Sequence, residues 1–539
     1  MTSSLIGDRS RRTGARPSGR VARTVLGGAA GLVWLMLPVM TISTGSAVAA
    51  PDHGPAAPAA AHPGPTAPTA AHPRPAAVRE AGAADYAVPL AVAAAAGAAA
   101  ALGHRRRTRR ARTRTTPGGP PATPAGEPLA DLDERAGRAL VSADDCLRTS
   151  REELGFAEAL VPADALAPAE RAVRRAADEL AAAFALRQRY DDDGARDEET
   201  RRHLLVGIIG RCAEAGRRLD AEAAGFDRLR ALETDPYRAL AVAEARFREL
   251  TGRVGAADAT LVELDKRYAP SAVTGVLGCT EEAKDRLVFA TAHLNQARRS
   301  ADLGRPDAAA RELRAAEGAV AQAGVLVAAV DRLAAELSTA ADLVPDALAA
   351  ADAALADVRK RRAEPDPGAA TAGLGARLAR AEAALSAVRD DLGAGPCDPL
   401  DVLTRIVRAV APLAPGRSGV LPSAARLAAL SATAAAADFV TTHRGAVGFQ
   451  ARTRLAEAER LLAADAADCA DLLMAGQLAL QARELAERDV RAWRVADPDA
   501  RVSGFEGAVL GGVLLGGAPG GGPPGSFGGP GTRGRRRDA

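Results

Sequence analysis

From residue 129 onward apolar side chains recur at alternating steps of three and four. Leu129, Leu132, Ala136, Leu140, Ala143, Leu147, Ser150 and Leu154 form one narrow stripe, the pattern of a helix that buries a single face. The period returns at Leu287, Ala290, Leu294, Ala297 and Ala301, and again at Leu313, Ala316, Val320, Ala323, Val327 and Val330. Asp302-Leu303-Gly304-Arg305-Pro306-Asp307 lies between the last two runs. Glycine ends one helix there and proline opens the next, so the pair reads as an antiparallel hairpin. Similar punctuation falls at Asp191 to Gly194, Ala269-Pro270, Pro365 to Gly368 and Gly393 to Pro396. The pattern predicts an all-α region over 128–500, built of long antiparallel helical hairpins or coiled coil. Phe156, Phe184, Phe226, Phe247, Phe289, Phe439 and Trp493 are the expected anchors of its layers.

The first 127 residues have a different texture. Arg9, Arg11, Arg12, Arg16, Arg20 and Arg23 precede an apolar run through Val25 to Ile42, and Ala47-Val48-Ala49 follows. A positive start, an apolar middle and small residues at the end are the marks of an export signal over 1–50, or of a first membrane helix if it is not cleaved. Residues 51–84 are dominated by alanine and proline and read as a disordered extracytoplasmic spacer. The segment 85–104 is alanine-rich and apolar, and Arg105, Arg106, Arg107, Arg109, Arg110, Arg112 and Arg114 close it. An apolar run stopped by arginines predicts a transmembrane helix with its C-terminal end inside, because cations are retained on the cytoplasmic side. An Arg-rich stop and Pro/Gly linker fill 105–127. The helical region is then cytoplasmic, on a cell-membrane protein with one crossing, or two if the first segment persists.

Composition supports thin helix-to-helix seams. Only 3% of the 539 residues are aromatic, and much of the hydrophobic 47% is alanine. Net charge is +3, so the whole chain makes no case for nucleic acid, and the arginine tract lacks interleaved aromatics for base stacking. Cys146, Cys212, Cys279, Cys397 and Cys469 are widely spaced, without a Cys-x-x-Cys pair, and read as buried free thiols. The glycine-rich end, 501–539, reads as a disordered tail with a basic tip.

No catalytic constellation emerges from the residues. No phosphate-binding loop is present, Asp191-Asp192-Asp193 lacks calcium-loop spacing, and His203, His293 and His443 are far apart. The carboxylates are explained as surface ion pairs. No catalytic, cofactor or metal residue is therefore assigned, and no cofactor is expected.

Several stretches carry a resemblance as a set: Glu282 to Thr291, Thr441 to Gly448 leading into Arg452 to Ala458, and Gly525-Ser526-Phe527-Gly528-Gly529. Together they resemble the bacterial TPM-domain membrane proteins, over roughly residues 84 to 539. That resemblance implies an export signal, an extracytoplasmic TPM domain, a membrane helix, a long cytoplasmic coiled-coil region and a glycine-rich tail. TPM domains are α/β modules linked in some members to phosphatase activity and metal binding. Here the Ala/Pro spacer stands in that place, so no catalytic position carries over. The expectation is a non-enzymatic, membrane-anchored scaffold, integral to lipid, that binds an unknown protein partner through its helices or self-associates. A degenerate TPM-related protein acting with a separate catalytic subunit is the alternative.

Overall fold

The computed structural model describes residues 127–192, 197–363, 371–413, 419–464, 467–496, 504–516 and 522–534. The signal segment, the spacer, the 85–104 helix, the arginine tract and the basic tip at Arg535 to Arg537 lie outside them, as do Gly194 and Pro365 to Gly368.

Among the described residues the fold is all-α, with a lone antiparallel bridge between Leu514 and Pro524. The helices are α1 (Leu129–Ala157), α2 (Ala163–Asp192), α3 (Glu198–Arg230), α4 (Pro236–Arg267), the single turn α5 (Pro270–Val273), α6 (Cys279–Asp302) and α7 (Pro306–Ala363). They continue as α8 (Thr371–Ala394), α9 (Pro399–Val410), α10 (Val420–Thr442), α11 (Phe449–Leu462), α12 (Cys469–Ala496) and the short α13 (Phe505–Leu510). Local chemistry sets many of these ends. Asp197 caps α3 by accepting from Thr200 N, and Asp398 caps α9 by accepting from Leu400 N and Asp401 N. Gly304, at φ 63°, makes the left-handed turn from α6 into α7.

The 58-residue α7 is the spine. It is about 87 Å long at 1.5 Å per residue. Its first half buries Ala310, Leu313, Ala316, Val320, Ala323 and Val327 against α4 and α6. Its second half buries Ala340, Ala347, Ala351 and Leu355 against α8, α9 and α10. A separate core joins α1, α2 and α3, and a fourth joins α10, α11 and α12. The stripes read from the sequence face these cores: Leu132, Ala136, Leu140, Ala143, Leu147, Ser150 and Leu154 are all buried on α1. Phe156, Phe184, Phe226 and Phe289 are buried anchors, while Phe247, Phe439 and Trp493 pack partly covered against their layers.

By length and composition α7 and α10 are apolar enough to cross a membrane. In the folded body 67% of the apolar stretch of α7 and 39% of that of α10 are buried. Neither is the segment picked out by the arginine pattern, which lies at 85–104.

The tail corrects the sequence reading. Residues 504–516 and 522–534 are not a loose arm; Ala508, Leu510, Val513, Leu514 and Phe527 are buried, and Phe527 stacks on Phe226 with ring centroids 4.3 Å apart. Glycine allows this, because a backbone with no Cβ can lie directly on a helix. A Cβ on Gly529 would collide with the Gly216 carbonyl oxygen of α3, so strap and helix touch through their main chains.

Candidate functional site

Where α1, α6, α7, α10 and α11 meet the tail, the core is polar. Arg286, Arg444 and Arg452 are among the largest fully buried side chains of the body. Arg286 enters from the first turns of α6, in register with the buried Ala283 and Ala290. Its Nη2 donates to the Thr442 carbonyl at 2.7 Å and its Nε to Gln322 Oε1 at 3.2 Å. Gln322, on α7, passes the connection on by donating to the Gly511 carbonyl at 2.6 Å.

Arg444 follows the end of α10 and binds Glu152 of α1 through both terminal nitrogens, the Nη2 bond being 2.7 Å. Arg452, on α11, donates to Asp144 at 2.6 Å, to Asp145 at 2.7 Å and to the Arg444 carbonyl at 2.6 Å. Gly445 sits between them, and its N–H donates to the Leu510 carbonyl at 2.6 Å. Nearby, Arg314 spans Glu153 and Asp227 at 3.1 and 2.9 Å, and Arg230 pairs with Glu317. The strap finishes on α3 and α1: Asp220 accepts from Gly529 N, Gly531 N and Thr532 Oγ1, and Ser150 Oγ accepts from Gly528 N at 3.2 Å.

Burial strips water from these ions, and only dense pairing makes that tolerable. Burial alone would raise the Asp144 carboxyl, but Arg148 and Arg452 outweigh it and hold it at about 2. Burial likewise works against the charged Glu282, yet His443 and Arg286 keep its carboxyl below the usual range. Glu317 behaves differently. Burial pushes it up to about 7 against the pull of Arg230, with the Glu153 charge adding to the rise. Its Oε1 has no hydrogen-bond partner among the described protein groups, and it lines a void of about 20 Å³ beside Val513 and Gly525. A void of that size holds one water.

These arrangements fasten helices. Guanidinium groups keep their charge at any physiological pH, and here they donate to carboxylates and backbone carbonyls rather than exchanging protons. The sequence reading placed the acids in surface ion pairs; Asp144, Glu153 and Glu317 are instead buried members of this junction. The clue was register. Asp144 stands four residues after Leu140 and Arg286 three after Ala283, both on buried stripes. The histidines stay apart: His203 is exposed, His293 Nδ1 lies 2.7 Å from Glu312, and His443 is buried, stacked on Phe439 and 3.5 Å from Glu282. All five cysteines are free; Cys146, Cys212 and Cys469 are buried and Cys279 and Cys397 half-buried. No cluster of potential metal ligands occurs among the described residues.

Comparison with known proteins gives one line of descent. No family model matches the chain, and no solved structure matches it. Over 430 residues it is 31% identical to the UPF0603 protein Rv2345 of Mycobacterium tuberculosis, and equally to UPF0603 protein MT2410 from another strain of that species. The match covers 75% of this chain and 64% of each relative, so the chain spans less than two thirds of the proteins it resembles. It is a homologue of these UPF0603 proteins. The resemblance to TPM-domain proteins has no family match behind it.

Proposed function

We propose that this chain is a membrane-anchored, non-enzymatic helical scaffold of the cell envelope, whose helical body lies on the cytoplasmic side and binds a protein partner or a second copy of itself. The observation that carries this reading is how the buried charges are used. Arg286, Arg444 and Arg452 are committed to joining α1, α6, α10, α11 and the C-terminal strap, which gives a stiff body of solvated outer helix faces. A stiff, pre-ordered surface lowers the entropy lost when a partner docks. The anchoring part rests on the apolar 85–104 segment and the arginines that follow it.

Crosslinking in native membranes followed by mass spectrometry tests the reading. It should recover a recurrent protein, or a second copy, joined to the outer faces of the body. Phosphate-ester turnover by the purified chain alone would overturn the non-enzymatic assignment. The stretches that resemble TPM-domain proteins support one other reading, a degenerate TPM-related protein that works with a separate catalytic subunit. Under that reading a phosphatase would co-purify with the chain.

A further inference from the structure

Beside the arginine junction, α7, α9, α10 and the start of α6 line a cleft of about 480 Å³. That lies within the span of small-molecule sites, roughly 300 to 1,000 Å³. One wall is hydrocarbon, with Leu326, Ala329 and Leu333 of α7 facing Ala432 and Ala435 of α10. The polar groups are few and convergent. Arg332 is paired with Asp438, and its Nε lies 3.6 Å from Glu336, so one guanidinium serves two carboxylates. Ser431 Oγ donates to Glu336 at 2.6 Å.

The other cations are spent or distant. Arg483 lies over the Phe439 ring, binds Glu487 at 2.7 Å and donates to the Ala435 carbonyl; Arg408 is exposed at the rim. Glu282 is engaged with Arg286 and His443, and Asp398 caps α9. Glu336 and Asp438 share the single Arg332 guanidinium, an excess of one negative charge at the centre of the cleft. Burial pushes both Glu336 and Asp438 above the usual carboxylate range, with Arg332 pulling the other way. An apolar chamber with surplus negative charge at its centre is complementary to one kind of guest.

We propose that the cleft binds a small organic cation with an apolar body, its ammonium on the Glu336 and Asp438 carboxylates that share Arg332 and its hydrocarbon against Leu326, Ala329 and Leu333. This does not rest on the scaffold reading, and each can fail without the other.

The test uses the full chain in lipid nanodiscs, with 4-phenylbutylamine and 4-phenylbutyrate as probes of equal carbon skeleton and opposite charge. Saturation-transfer NMR, referenced to empty nanodiscs, should show saturable amine binding and at least tenfold weaker carboxylate binding. The double variant Glu336→Gln, Asp438→Asn should weaken the amine at least tenfold. In the unaltered protein the amine, and not the carboxylate, should slow alkylation of Cys279, which lines the same cleft. That readout needs no variant to fold. Equal binding of the two probes, amine binding that survives the double variant, or no saturable amine signal above empty nanodiscs would each overturn the proposal.

Discussion

Arg286 donates to the carbonyl of Thr442 at 2.7 Å across 156 residues of sequence, and through this bond the start of α6 holds the end of α10. The same guanidinium contacts Gln322, which in turn holds the Gly511 carbonyl, so two helices and the tail hang on one side chain. Arg286→Met should remove a donor from buried acceptors and cost about 3 kcal/mol. Denaturant unfolding measures it. Val288→Ala, at a side chain 64% exposed, is the control and should stay within about 0.5 kcal/mol.

The C-terminal strap is a structural member. Phe527→Ala should cost about 3 to 5 kcal/mol, because the ring fills a closed site on Phe226. Hydrogen exchange should rise across 504–516 and 522–534 before it rises in α1 and α3. Unchanged exchange there would mean that the strap holds without its aromatic anchor.

Two glycine-to-alanine changes within helices should act with opposite signs. On an open helix face the change stabilises by about 0.5 to 1 kcal/mol. Gly252 has nothing within 4 Å of the place an added methyl would take and should follow that rule. Gly216 presses on Pro530, and Gly216→Ala should instead destabilise and loosen the strap. Thermal unfolding of the two variants in parallel checks the contrast.

The pH dependence of stability should have two separable limbs. The folded state raises Glu317 from 4.5 to about 7, so it holds a proton that the unfolded chain releases; stability therefore falls as pH climbs through that window, by on the order of 3 kcal/mol. The folded state lowers Asp144 from 3.8 to about 2, so its contribution is present above 3.8 and is lost as pH falls through about 2. Glu317→Gln should shrink the first limb only, and Asp144→Asn the second only. Unfolding free energies measured across pH separate them.

The helices were legible because their apolar stripes repeat without interruption; every stripe residue named on α7 from Leu313 to Val330 is buried. The hairpin at Gly304 was legible for the same local reason. The junction was not, because composition treats an arginine as surface unless its helical register is compared with its neighbours. Arg286 and Arg452 look like ordinary solvated charges until the fold brings them to Thr442 and Asp144. The tail was misread on composition as well. Glycine and proline signal disorder when nothing offers them a groove, and the groove here is built by residues 378 and 309 positions earlier, at Ser150 and Asp220. The stretches that carried the family resemblance, around Arg286, Arg444, Arg452 and Phe527, all converge on this junction and strap.

Thiol labelling in cells tests the anchored, inward-facing body most directly. Leu303, at the α6–α7 turn, is 67% exposed, and Leu303→Cys places a reporter there. A membrane-impermeant maleimide should leave this cysteine unlabelled in intact cells and label it once the membrane is permeabilised. Equal labelling before and after permeabilisation would put the helical body outside and contradict the account.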